Sequence, residues 1–275
     1  MSPAFNPLDS RLAIISGEGD LPSKVLKSAS LLGFQGIVIN LTDTDGQIKN
    51  LSEWKTFKFK IGNIGRIFKK LHLEKITHIV LCGNIDRPKL YDMKFDTKGL
   101  DIMSKIAFKG DDGALKILSK EIENEGFNII APSTFLRNSN FPKGHIAGPK
   151  PNDNLLNEIE RGYEVLKNLS ASDVGQSVVV QHGIVLAIEA IEGTDEMIKR
   201  AGKLKSSGTG PILIKTPKLN QDLRFDQPVI GINTVKLAHR HGFSSISCKY
   251  DGVLVIDLNK VIDTANHRNI TLFGF

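Results

Sequence analysis

Between residues 11 and 135 the chain alternates short, nearly all-apolar runs with amphipathic stretches, and few folds accept that alternation. "RLAIIS", "GIVINL" and "THIVLCG" carry too few polar residues for strands with one wet face. Strands of that kind sit in parallel sheets covered by helices on both sides. The intervening stretches read as helices at Ser23–Leu32, across "GRIFKKLHLEKI" and from about Ser104 to Glu125, with "FNIIAP" as a further strand. The expectation is a Rossmann-like parallel-sheet domain in the first half of the chain. Sheets of this type receive ligands at the carboxyl ends of their strands. That edge would hold the Gly17-Glu18-Gly19 loop, the segment "CGNIDRP" and Pro132-Ser133.

The Gly17–Gly19 loop joins a strand to a helix, where free N–H groups and the helix dipole favour phosphate. It is not a dinucleotide fingerprint, because the third glycine of G-x-G-x-x-G is replaced by Pro22. In "CGNIDRP", Gly83 ends a buried strand and Arg87 follows, a usual place for a side chain that meets an anion. "KGDDGAL" sets Asp111 and Asp112 before a helix; capping accounts for one, leaving the other for a ribose or a metal.

Residues 137–153 are rich in Pro, Gly and Asn without an apolar period, and read as a linker or exposed loop. This places one domain at 1–145 and a second at 146–275. The second half reads as mixed α/β: a helix near Leu155–Leu169, a hairpin turning at His182-Gly183, a helix at Thr194–Lys205, the strand "PILIK", a helix near Asn233–His241, a hairpin with Asp251-Gly252 at its turn, and the strand "TLFGF". Its densest polar stretch is "KTPKLNQDLRFDQP", Lys215 to Pro228. There Asp222 and Asp226 flank Arg224, with Lys215, Lys218 and Gln221 nearby. In an extended segment residues four apart share a face, so both aspartates can address one ion. Two oxygen ligands among cations suit Mg²⁺ with a diphosphate; mutual ion pairing on a solvated loop is the plainer reading. In "EAIEGTDEM", Thr194 is placed to cap the following helix, the plainer reading, although that N-terminus also suits a metal-bound phosphate.

Composition narrows the class further. At 275 residues, 40% hydrophobic and 24% charged, the chain has globular proportions. Its 36 Lys and Arg against 30 Asp and Glu leave a formal charge of +6, which favours anionic partners without choosing among them. Cys82 and Cys248 stand far apart in apolar stretches, as buried reduced thiols do, and no segment reads as a signal peptide or a membrane span. A cytoplasmic location is expected. His239 and His241 lie two apart on a helix and face different sides, so they are not a zinc pair.

The order of these segments resembles the LpxI family of UDP-2,3-diacylglucosamine pyrophosphatases over nearly the whole chain. The resemblance rests on "LAIISGEGDLP", "GNIDRP", "KGDDGAL", "DVGQSVVVQHGIVLAIEAIEGTDEMI", "ILIKTPKLNQDLRFDQPVIG" and "LFGF". It implies a cytoplasmic enzyme of Gram-negative lipid A synthesis. Such an enzyme uses Mg²⁺ to split UDP-2,3-diacylglucosamine into UMP and 2,3-diacylglucosamine 1-phosphate, with water attacking the sugar-side phosphorus. Carried onto this chain, it implies catalytic roles for Asp222, Asp226, Arg224 and Lys215, with Asp222 and Asp226 as metal ligands. The family's essential aspartate is one of those two, Asp222 being the favoured match. Substrate contacts fall to Gly17, Gly19, Leu21, Gly83, Arg87, Asp111, Asp112, Gln176, Thr194, Lys218 and Gln221. The family's usual A-G-G-G is here Ser16-Gly17-Glu18-Gly19, which brings a carboxylate into the loop. The implied partner is a lipid-linked UDP-sugar at the inner-membrane surface, with peripheral membrane contact compatible, a homodimer left open and no nucleic acid. The rival readings are an NAD(P)- or nucleotide-binding protein of Rossmann type without pyrophosphatase activity, and an RNA-binding protein favoured only by charge. Cofactor-dependent quenching of Trp54 would mark the first, and affinity falling steeply with salt the second.

Overall fold

The structure is a computed structural model describing residues 6–7, 9–42, 54–83, 94–107, 109–136, 139–219, 221–225 and 227–275. The chain forms two compact units, residues 1–137 with 222–226, and residues 138–221 with 227–275.

In the first unit β1 (Arg11–Ser16), β2 (Gln35–Asn40), β3 (Lys55–Lys58), β4 (His78–Cys82) and β5 (Asn128–Ile129) form one parallel sheet in the order β3-β2-β1-β4-β5. Helices α1 (Leu21–Leu31), α2 (Ile64–Leu73), α3 (Thr97–Ile106) and α4 (Asp111–Asn124) belong to the same unit. Alternate strand residues enter opposite cores, which is why these runs are apolar throughout. Ala13, Ile15, Ile37 and Ile39 pack with Phe68, Leu71 and Ile122 on one face. Leu12, Ile14 and Val38 pack with Val25, Leu26 and Phe135 on the other. This is a Rossmann-type sheet, and its order reverses between β1 and β4.

Two expectations change here. The single helix read over Ser104–Glu125 is two helices, α3 ending at Ile106 and α4 starting at Asp111. Strand β3 was hidden because "KTFK" is an edge strand whose lysines are exposed.

The second unit is mixed α/β. Its six-stranded sheet has the order β6-β13-β11-β9-β7-β8, from β6 (Gly144–Ala147), β7 (Ser177–Gln181), β8 (Ile184–Ile188), β9 (Ile212–Lys215), β11 (Ser245–Cys248) and β13 (Thr271–Gly274). Helix α5 (Asp153–Leu169) covers one face through Ile159 and Leu166. On the other face α6 (Gly193–Leu204), α7 (Ile232–Arg240) and α8 (Leu258–His267) contribute Met197, Ile198, Val235 and Val261. The β7–β8 turn is the expected hairpin: His182 and Gly183 have φ of 51° and 73°, the twist a two-residue turn requires.

The segment 137–153 is not only a linker, since β6 pairs antiparallel with β13 and straddles the boundary expected at 145/146. Nor do the residues around Asp251-Gly252 make a hairpin. β11 lies parallel to both β9 and β13, while β12 (Leu254–Val255) pairs with β10 (Val229–Ile230). A strand central in a parallel stack has both edges occupied and cannot also take its sequence neighbour.

One carboxylate organises two helix starts in the first unit. Asp96 caps α3 by accepting from Gly99 N at 2.8 Å and reaches the first turn of α2 at Arg66 N, 3.2 Å. Burial works to raise its pKa, but the N–H groups of Gly99, Gly65 and Arg66 and the Arg66 charge hold it below the usual aspartate value. The stability from its charge is therefore present above the ordinary aspartate range and is lost as pH falls through the folded value. Asp96→Ala should cost about 1 kcal/mol in urea unfolding near neutral pH. That difference should shrink at a pH below the ordinary aspartate range, as it approaches the lower folded value. A deficit equal at both pH values would show that charge is not what the cap supplies.

Candidate active site

In the first unit the two glycine turns meet where the strand order reverses. Gly17 N donates to Cys82 O at 2.9 Å, tying the end of β1 to the end of β4. Gly83 has φ +92°, and a Cβ there would stand 2.7 Å from Glu18 O and from Gly17 C. No residue with a side chain fits that position without moving the loop. Gly19, with φ +100°, leads into α1, which Leu21 and Pro22 open. Glu18 is exposed, so the carboxylate this chain brings into the loop stands in solvent. Helix α4 begins at Asp111 with Gly110 as its N-cap; the side chains of Asp111 and Asp112 lie outside what is described, as do Arg87 and Asp226.

The first unit also receives part of the polar loop. Asp222 and Arg224 do not lie in an extended segment: Phe225 N donates to Asp222 O at 3.0 Å, closing a turn. Arg224 folds back on the Asp222 carboxylate, with Nε 3.0 Å from each oxygen and Nη2 2.7 Å from Oδ2. Its Nη1 meets Glu123 Oε1 at 2.9 Å. Hydrogen bonding from Arg224 holds Asp222 below the usual carboxylate range, against its partial burial, with the Arg224 and Lys116 charges helping. Asp222 is thus an anion at neutral pH. Its oxygens are the hard donors Mg²⁺ takes, and Mg²⁺ needs only one or two protein carboxylates when substrate phosphates supply other ligands. Among the described residues no group of three or more His, Cys, Asp or Glu is placed to hold a metal ion.

In the second unit three separated motifs converge at one end of the sheet. Lys215, the last residue of β9, and Lys218 just after it are taken almost wholly out of water, with side chains 6% and 3% exposed. Lys215 Nζ donates to Thr194 Oγ1 at 2.6 Å, and Thr194 Oγ1 donates to Glu189 Oε1 at 2.7 Å. Thr194 is therefore not a helix cap; the N-cap of α6 is Glu192. Lys218 Nζ is paired with Asp173, which sits in the left-handed region at φ 51°, and Lys218 N donates to Gln221 Oε1 at 2.9 Å. Gln176 O accepts from Thr216 N at 2.9 Å, joining the start of β7 to the end of β9.

Sequence reasoning missed two members of this cluster, Asp173 and the bonded role of Glu189. Both are partners of lysines 45 and 26 positions away, distances no local spacing reveals. A cavity of about 580 Å³ opens elsewhere in this unit, lined by Lys150, Asn154, Glu158, His182, Thr209 and Ser244 among others. It takes in Ile212 at the start of β9, the opposite end from Lys215, and none of the expected site residues lines it. The thiols of Cys82 and Cys248 are buried, free and pushed by burial up to about 12, so neither is a nucleophile.

A Rossmann-type first unit followed by a mixed α/β unit with buried lysines defines a two-domain class, and the comparisons fall on both halves. The LpxI N-terminal domain profile matches residues 11–139 and the LpxI C-terminal domain profile residues 142–273. UDP-2,3-diacylglucosamine pyrophosphatase LpxI of Caulobacter vibrioides is 30% identical over 273 residues, 96% of this chain and 97% of its own. The chain belongs to the LpxI family. Among solved structures, WbmG of Bordetella bronchiseptica in complex with NAD aligns at 16% identity over 46% of this chain and 37% of its own, with a TM-score of 0.31. CobK precorrin-6A reductase aligns at 10% identity over 96% and 88%, with a TM-score of 0.33. Likenesses that weak bear on neither fold nor function. No helix among the described residues is long and apolar enough to cross a membrane.

Because Lys218 is buried against Asp173, removing the acid takes a counter-charge away from a cation held out of water. Asp173→Ala should lower unfolding stability by about 3 kcal/mol. Replacing both, as Asp173→Ala with Lys218→Met, should recover much of that loss, measured by urea denaturation. A double variant no more stable than Asp173→Ala alone would mean the pair is not the source of the cost.

Proposed function

We propose that this protein hydrolyses the diphosphate of UDP-2,3-diacylglucosamine, giving UMP and 2,3-diacylglucosamine 1-phosphate in lipid A synthesis. The observation that carries the reading is the pair of buried lysines at the end of β9 and just beyond it, in a chain that matches a pyrophosphatase of that name over 96% of its length. An ammonium held out of water interacts strongly with phosphate charge and needs no reorganisation when that charge develops. In the reaction, water forms a bond to the sugar-side phosphorus while the bond from that phosphorus to the bridging oxygen breaks, and UMP leaves with the oxygen. Lys215 and Lys218 would meet charge on the phosphoryl oxygens, Arg224 would hold Asp222 in place, and a carboxylate of the pair Asp222 and Asp226 would orient the water. Mg²⁺, held by Asp222 and Asp226, would supply Lewis-acid stabilisation of the phosphate oxygens. In the first unit, Gly17, Gly19, Leu21, Gly83, Arg87, Asp111 and Asp112 are the proposed substrate contacts; in the second, Gln176, Thr194, Lys218 and Gln221. A lipid-linked substrate places the working enzyme at the inner surface of the cytoplasmic membrane, where a net positive chain is drawn to anionic headgroups.

Turnover of UDP-2,3-diacylglucosamine should require added Mg²⁺ and stop with a chelator, and in ¹⁸O water the label should enter the lipid phosphate. Label in UMP would put the attack on the other phosphorus. Asp222→Ala or Asp226→Ala should reduce kcat by at least about a hundredfold in folded protein. Near-native rates in both would reduce the loop to a solvated turn. Arg87→Ala should raise KM and spare kcat, the pattern of lost uniform binding; a collapse of kcat at unchanged KM would move Arg87 to the transition state.

A further inference from the structure

We infer that Glu189 is a positioning residue, aiming the Lys215 ammonium through the hydroxyl of Thr194. The inference rests on the proposed role of Lys215 in meeting phosphate charge. The direction of each hydrogen bond is forced by chemistry. Lysine only donates and an ionised carboxylate only accepts, so the Thr194 hydroxyl must accept from Nζ at 2.6 Å and donate to Glu189 Oε1 at 2.7 Å. The hydroxyl is thereby locked, and with it one of the three Nζ protons. Glu189 Oε2 stands 4.0 Å from Nζ, close enough for charge pairing but beyond a hydrogen bond. Among the described residues the remaining two Nζ donors have no protein acceptor, although the side chain is 94% withdrawn from water. A buried donor left in that state is suited to a ligand's oxygens.

The backbone that carries Glu189 is held from behind. Glu189 N donates to Ser177 O at 2.9 Å, and Gly175 lies so close that a Cβ there would come within 2.0 Å of Glu189 O. Burial works to raise the Glu189 pKa, but the Lys215 charge, together with the nearby Ser177 and Thr194 hydroxyls and the Gln176 N–H, brings it below the usual value. Glu189 is therefore charged at neutral pH. A negative charge beside a diphosphate site weakens substrate binding, so its placement there is explained by what it does to the lysine. The expected signature is a loss in kcat without a rise in KM.

The test uses the full chain with UDP-2,3-diacylglucosamine and Mg²⁺. Glu189→Gln keeps an acceptor for Thr194 but removes the charge, and Thr194→Val removes the bridge while keeping the shape. Each should lower kcat about ten- to hundredfold, as small misplacement of a catalytic group does. In Glu189→Gln KM should stay within about twofold, marking loss in the transition state alone. Thr194→Ser, which restores the hydroxyl, should recover most of the Thr194→Val loss. A merely structural role would instead reduce the folded fraction, read by circular dichroism, and leave kcat per folded molecule unchanged. If Glu189→Gln does not fold, Thr194→Val against Thr194→Ser decides the matter. Wild-type kcat in Glu189→Gln and Thr194→Val, while Lys215→Ala loses about a hundredfold, overturns the inference and leaves the role of Lys215 standing. Wild-type kcat in Lys215→Ala overturns both.

Discussion

An ammonium group taken out of water has to be met by negative charge, and two lysines close together in sequence impose that requirement on the second unit. Lys215 and Lys218 draw in Glu189, Thr194 and Asp173, residues contributed by the end of β8, the start of α6 and the turn before β7. Those contacts explain details that would otherwise look arbitrary: a left-handed aspartate at position 173, a glycine at 175 pressed on the Glu189 carbonyl, and the hydroxyl rather than a methyl at 194. Replacing such ion pairs with apolar side chains usually costs a fold little. Their presence here fits the phosphate chemistry proposed for the two lysines.

The first unit solves a different problem, holding a loop still without a side chain to do it. Reversal of strand order leaves a crevice between the ends of β1 and β4, and the chain fills it with backbone. Gly83 lets the Gly17-Glu18 peptides come within contact distance, and Gly17 N closes the gap by bonding Cys82 O. Pro22 does not interrupt this arrangement, since a proline in the first helical turn gives up an N–H that has no partner there. The turn therefore joins β1 to α1 without the third glycine of the dinucleotide motif.

The sequence was legible where one physical signal dominated. β1, β2 and β4 are buried on both faces and so read as unbroken apolar runs, and the His182-Gly183 turn announces itself by residue type. β3 did not, because only Phe57 among its residues turns from solvent. Asp251-Gly252 carries a hairpin's residue types, yet β11 is already flanked by β9 and β13, a constraint set by strands far away in sequence. The polar loop was found by composition alone, but its geometry was not: Arg224 bends onto Asp222 where an extended segment was expected. Lys215 and Lys218 were picked out by the charge of the polar loop, and Thr194 as a helix cap. Why they matter physically depends on burial and on Asp173 and Glu189, which no spacing discloses.

The strap at residues 222–226 makes the first unit discontinuous along the chain. Phe225 packs on the core formed by β1, β2 and the α2 side of the sheet, and Arg224 reaches Glu123 on α4. A ribosome releases residues in order, so the Rossmann sheet emerges long before the peptide that completes its surface. During that interval the place of Phe225 is open and Glu123 lacks its arginine. A chain cut after residue 137 would stay in that state for good. The first half of this protein is thus a domain by shape but not by inheritance: it cannot be transplanted, swapped or expressed alone without leaving behind part of its own packing.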